Sequence, residues 1–107
     1  MNADYVLAPA AQDDIDAEAS YIADLLGEPA AGDFIDRMHD ALGRLAANPG
    51  LGHRRSDLTA LPVHFWTVLG RYAVVYRKRQ PLEVVRVLGW KQDVPAILRR
   101  DDDAVPE

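Results

Sequence analysis

The segment Asn48-Pro49-Gly50-Leu51-Gly52-His53-Arg54-Arg55 divides the chain into halves that follow different periodicities. Before it, apolar residues recur every three or four positions, as helices require. After it, they alternate or run together, as strands require. The fold must therefore set a helical unit against a sheet. Charge divides at the same place. Residues 1–50 carry ten Asp/Glu and two Arg, a balance of −8, while residues 51–100 carry three Asp/Glu and ten Lys/Arg, a balance of +7. Residues 101–107 contribute −4, so the net charge of −5 hides a dipolar molecule. That asymmetry bears on partners rather than on fold.

The elements follow in order. Tyr5-Val6-Leu7 is a short β-prone run that must pair with a later strand. Pro9 suits a first helical turn, and Ala11, Ile15, Ala19, Ile22 and Leu25/Leu26 form an apolar stripe that ends at Gly27. Pro29 opens a second helix with the stripe Ala31, Phe34/Ile35, Met38, Leu42 and Leu45, which stops at Asn48-Pro49-Gly50. The short Gly27-Glu28 link makes these helices antiparallel neighbours. Ser56–Pro62 reads as loop. Val63–Leu69, Tyr72–Arg77 and Leu82–Leu88 then read as a meander, the middle strand apolar on both faces and hence central. Gln92–Arg100 forms a short last helix. The order β-α-α-β-β-β-α predicts a two-layer α+β domain, a helical hairpin on a small, mainly antiparallel sheet. That domain spans 1–98, and 99–107 is an acidic, flexible tail.

Composition excludes several classes. There is no cysteine, so disulfides and thiolate metal sites are out. The N-terminus lacks a basic n-region and a long apolar segment, and no run approaches a membrane span, which points to the cytoplasm. Asp13, Asp14, Asp16 and Glu18 read as a solvated acidic helix face. His39, His53 and His64 lack metal-ligand spacing and read as incidental polar positions. Neither a metal nor a cofactor is expected. The basic residues of the second half, interleaved with Trp66, Tyr72, Tyr76 and Trp90, read either as a solvated hairpin beside a core of aromatics or as a binding surface. As a surface they fit an acidic protein partner better than nucleic acid, because a net −5 opposes long-range attraction to phosphate. Arg86, inside the apolar run Val84–Val87, is costly unless it is paired or lies on an open face.

In series, Tyr5-Val6-Leu7-x-Pro9-Ala10-Ala11-x-Asp13-Asp14-Ile15, Ala31-x-x-Phe34-Ile35, Leu45-Ala46-x-Asn48-Pro49-x-x-Gly52-x-Arg54, Leu58, Tyr72-x-Val74-x-Tyr76-Arg77 and Val85-Arg86-Val87-Leu88, with Asp93 after it, resemble the RelE/ParE toxin superfamily. Within it the chain looks closer to the ParE-like toxins of type II toxin–antitoxin, or plasmid-stabilisation, modules. The resemblance implies a hairpin-on-sheet fold, a ParD-like antitoxin whose acidic C-terminal segment wraps the toxin in a hetero-oligomer, and DNA gyrase as target, with no catalysis by the toxin itself. The alternatives are a RelE-type, ribosome-dependent mRNA interferase and a non-toxic binding module of the same fold. The RelE branch uses a basic residue early in the middle strand and a C-terminal tyrosine. These positions align here with Ala73 and Ile97, which can neither stabilise a phosphate nor move a proton. The surface expected to bind antitoxin and target comprises Arg54, Arg71, Arg77, Arg86, Trp90 and Lys91. Arg55 is a further candidate, and direct, specific nucleic-acid binding is not expected. Trp90 stands where many relatives carry His. It either anchors an interface or closes the core, and the sequence leaves both open. The acidic Asp101-Asp102-Asp103 is a second departure.

Overall fold

The computed structural model describes residues 4–104. The elements are β1 (Tyr5–Leu7), α1 (Pro9–Leu26), α2 (Glu28–Ala47), a single 3₁₀ turn (Pro49–Leu51), β2 (His53–Arg54), β3 (His64–Val68), β4 (Tyr72–Arg77), β5 (Leu82–Gly89) and α3 (Val94–Ala104). The five-stranded sheet has the order β1-β5-β4-β3-β2. Only the β1–β5 pair is parallel. The expected α+β class and element order are thus observed. β2 is the one strand the sequence reading left out, being just two residues long.

The hairpin forms as its sequence dictates. Gly27 alone links the helices, and its φ of +96° lies in the left-handed region that glycine enters without steric cost. α1 buries Ala11, Ile15 and Ala19, while α2 buries Phe34, Met38, Ala41, Leu42 and Leu45. The small alanines let α1 lie close to its neighbours, and the larger α2 side chains fill the space above β4 and β5. From the sheet, Tyr72, Val74, Tyr76, Leu82, Val84 and Val87 complete this main core.

The opposite face of the sheet is also covered. Ala73, Val75 and Leu88 pack there with Val63 and Phe65 and with Val94 and Leu98 of α3. The two-layer arrangement of hairpin and sheet therefore carries a smaller third cover, made by α3 and the segment after β2. The helix also corrects the expected tail, because residues 99–104 continue α3. Burying Val94 and Leu98 stabilises α3 and positions its next turn against the sheet. Residues 105–107 of that expected tail lie outside the described residues.

A bulge shapes β5. Val75 pairs with Arg86 but Tyr76 pairs with Val84, so Val85 is the extra residue. The added residue inverts the alternation. Val84 and Val87 face the hairpin, and Arg86 is turned to the other side.

The hinge segment is seated on β4 by one hydroxyl. Tyr76 is fully buried. Its OH donates to the Pro49 carbonyl at 2.6 Å and accepts from the Gly52 N–H at 3.0 Å. A Cβ on Gly52 would fall 2.5 Å from that oxygen and 2.6 Å from the Phe65 carbonyl. Glycine is therefore required for close approach rather than for a turn. Gly52→Ala is expected to lower stability by about 2 kcal/mol through this overlap. Gly43→Ala, in α2 with open space around its Cβ position, should raise it by roughly 0.5–1 kcal/mol through helix propensity. Urea denaturation of the two variants checks the contrast.

Candidate interaction surface

The bulged strand sets up the densest polar contact in the molecule. Arg86 donates from Nε and Nη2 to the two oxygens of Asp14, at 2.7 Å each, and from Nη1 to both oxygens of Asp101, at 3.0 and 2.9 Å. Asp14 also accepts from the Val87 N–H at 2.9 Å. β1 ends opposite Val84, so Asp14 supplies the acceptor that a continuing strand would have offered to β5. The Arg86 and Asp14 side chains retain 16 % and 13 % of their exposure, which weakens solvent screening of the pair. Both carboxylates push the guanidinium pKa further above its already high value, Asp14 more than Asp101. Arg86, expected among the partner-binding residues, is thus engaged inside the chain on two sides. It locks α1, β5 and α3 to one another.

Asp14 and Glu18 correct the reading of a wholly solvated acidic face. Asp13 and Asp16 are exposed, but Asp14 and Glu18, one helical turn apart, turn towards β5 and β4. Glu18 accepts a hydrogen bond from the Tyr72 hydroxyl. The pair lines a cleft of about 300 Å³ with Phe34, Val87 and Gln92. Burial, then the bond and charge of Glu18, push the Tyr72 phenol up to about 12.

The other expected residues fall into two groups. Arg71 and Lys91 lie at the end of the sheet where β3 turns into β4 and β5 stops. Both are exposed, and the Trp90 N–H donates to the Arg71 carbonyl at 3.0 Å. Arg54 and Arg77 lie at the opposite end. The six residues of β4 that separate the ends span about 17 Å, so the set does not form one patch. Arg77 is engaged within the chain, 3.7 Å from Glu83, which Arg79 also approaches at 3.2 Å. Among the described residues, Arg54, Arg71 and Lys91 form no ion pair. Trp90 combines both readings left open for it. It packs against the smaller core, stacked with Phe65 at 6.3 Å, while its Nε1 donates to Thr67. Arg55 lies over the Trp90 ring, 5.8 Å from its centre, and is itself held by Asp57.

Two features escaped the sequence reading. Tyr21, Leu25 and Leu26 leave 60–73 % of their surface exposed on α1, an apolar patch hidden in the sequence because Leu25 and Leu26 continue the helical stripe. At the β2 edge, Arg54, His64 and Tyr76 stand in one cross-strand row, which only the register reveals. Among the described residues, no three acidic or imidazole side chains converge as a metal site requires, and no helix is long and apolar enough to cross a membrane.

A two-helix hairpin packed on a five-stranded, mainly antiparallel sheet, with a short third helix on the opposite face, defines a small α+β fold. Residues 5–94 match the family described as the ParE toxin of the type II toxin–antitoxin system parDE, and the chain belongs to that family. It is thus the toxin component of a type II module, and its family partner is an antitoxin. Among solved structures, it is similar to a chain of a chromosomal ParDE toxin–antitoxin system from P. aeruginosa. The TM-score is 0.67 at 18 % identity, and the match covers 81 % of this chain and 95 % of that one, a likeness that concerns the fold. No curated protein matches.

Two outcomes follow from these contacts. Arg86→Ala strands two carboxylates against the sheet and is expected to cost about 3 kcal/mol, whereas Asp101→Ala, at the more exposed arm, should cost about 1 kcal/mol. Thermal unfolding of both variants measures this. The Tyr72 phenol has a folded pKa above its unfolded value of 10.0. Its contribution is therefore complete below pH 10 and is lost as pH rises towards 12. Denaturation at pH 8 and pH 11 should show a larger alkaline loss for the wild type than for Tyr72→Phe.

Proposed function

We propose that this toxin acts without catalysis, by binding DNA gyrase in the cytoplasm. A cognate ParD-like antitoxin with an acidic C-terminal segment neutralises it in a hetero-oligomer. The observation that carries the non-catalytic reading is the fate of the two positions where the RelE branch keeps its chemistry. Ala73 is fully buried beneath α3, and Ile97 packs on the same cluster. Neither presents an acid, a base or a cation to a substrate, and Ala73 is covered by side chains of the chain itself.

Two kinds of surface support the antitoxin part of the reading. Arg54 at one sheet end, and Arg71 and Lys91 at the other, offer unpaired cations to carboxylates. The Tyr21–Leu26 patch on α1 offers apolar area to an amphipathic segment. Trp90, braced by Phe65 and Thr67, supplies a rigid aromatic beside Arg71 and Lys91. The proposed surface leaves out Arg77 and Arg86, which have carboxylate partners inside the chain.

Inducing the toxin alone should arrest growth with an SOS response, and the purified protein should inhibit supercoiling by gyrase. Co-expression of the antitoxin should reverse the arrest. Arrest without SOS would place the target elsewhere, and cleavage of ribosome-bound mRNA by the purified protein would overturn the non-catalytic reading. Exchanging Arg54, Arg71 and Lys91 together for Glu should weaken antitoxin binding by roughly tenfold or more, since each rim charge is worth a fraction of a kcal/mol to about 1 kcal/mol. Calorimetric titration measures that loss.

A further inference from the structure

The β2 edge carries an arrangement that neither the fold nor the family membership explains. The register places Arg54 directly opposite His64, and His64 directly opposite Tyr76, so three adjacent strands contribute one row on one face. The His64 and Tyr76 rings lie 5.6 Å apart. Gly52 makes the row possible, because the absence of its Cβ lets the chain entering β2 approach the Tyr76 hydroxyl. Lys78 follows Tyr76 by two residues. Among the described residues, neither Arg54 nor Lys78 has a carboxylate partner. His64 Nδ1 is buried and has no hydrogen-bond partner among the described residues, so no internal contact fixes the tautomer or charge of the imidazole.

We propose that Arg54, His64 and Lys78 form a receptor for one carboxylate of an acidic peptide segment. The row spans two strand spacings, about 10 Å. This suits a single carboxylate held by an imidazole and flanking cations, not a run of phosphates. The acidic hairpin on the same face and the net charge of −5 act against a polyanionic nucleic acid in the same place.

A proton linkage follows. The groups whose charge reaches the His64 ring are Lys78, Arg54 and His53, all basic, and with burial as the larger cause they hold its pKa below the ordinary value. Tyr76, packed against the ring, is neutral across the physiological range, with its own pKa pushed up by burial. A carboxylate entering the row reverses the local field and favours imidazolium. Binding therefore takes up a proton, and affinity rises as pH falls through the bound-state pKa of His64.

The inference rests on the reading of an acidic protein partner, and the two are tested separately. Nitrogen-15 NMR of the imidazoles, with blocked tetraglutamate as the probe, should show the His64 pKa rising by about one unit, equivalent to about tenfold tighter binding at acidic than at alkaline pH. The shift should vanish in the Arg54→Gln, Lys78→Gln double variant. In the toxin–antitoxin complex, tightening between pH 8 and pH 6 should be lost in His64→Gln while the complex still forms. An unmoved His64 resonance, or a complex whose pH dependence survives His64→Gln, would overturn the receptor. A larger response to a single-stranded oligonucleotide than to tetraglutamate would overturn the peptide assignment. Failure to form any complex would count against the antitoxin reading and leave the tetraglutamate titration to decide the site.

Discussion

One guanidinium holds the three layers of this molecule in register. Arg86 reaches Asp14 on the hairpin and Asp101 on α3, and the strand that carries it lies between them. Ion pairs at this depth contribute little net stability against an apolar alternative, but they are demanding about geometry. A slip of β5 by one residue would turn Arg86 into the main core and strand both carboxylates. The triad thus penalises the wrong register more than it rewards the right one, in a sheet whose valine-rich strands would otherwise tolerate sliding. The bulge at Val85 is what makes the contact possible, since regular alternation would have sent Arg86 towards the apolar hairpin.

A second constraint acts where the helical half hands over to the sheet. The Tyr76 hydroxyl satisfies one donor and one acceptor of the segment between α2 and β2, and Gly52 removes the only atom that would block the approach. Stop signals after a helix are common, but here the stop is also a docking point. It fixes where β2 begins and therefore which cation meets His64. The two constraints divide the work. Arg86 orders the sheet against its covers, and Tyr76 orders the chain's passage from one half to the other.

The fold was legible because the local signals agreed. Pro9, Gly27 and Asn48-Pro49 bound the helices, and the double-faced apolar pattern of Tyr72–Tyr76 named the central strand. The sequence pattern carries α3 only to Arg100, because Asp101–Glu107 is acidic and ends in Pro-Glu. Asp101 nonetheless faces the sheet, held by Arg86 on the preceding strand. The interaction surface was much less legible. Cations can be counted in a sequence, but their partners cannot. Arg77 and Arg86 carry the same charge as Arg54 and Arg71, and only the structure separates those already neutralised by Glu83, Asp14 and Asp101 from those left open. Asp14 and Glu18 were misread for the same reason, because helical periodicity gives a face but not what lies opposite it. His64 carried no signal at all, since its meaning arises from two strand pairings.

The parallel pairing of β1 with β5 has a consequence for how the chain is made. Tyr5–Leu7 matches Leu82–Val84, and Asp14 waits for Arg86, so the first elements synthesised depend on nearly the last. Until β5 leaves the ribosome, α1 and α2 can pair with each other and β2, β3 and β4 can pair among themselves, but α1 and β1 lack the strand they pack on. Contacts between such distant segments form late and slow the search for the native state. The nascent chain therefore passes through a stage in which part of the apolar side of its helical hairpin is exposed and β1 is not yet joined to the sheet, the kind of species on which chaperones act. Completion of the toxin is accordingly a single late event: the arrival of β5 supplies the partner for β1, the floor for the hairpin and the anchor for the last helix together.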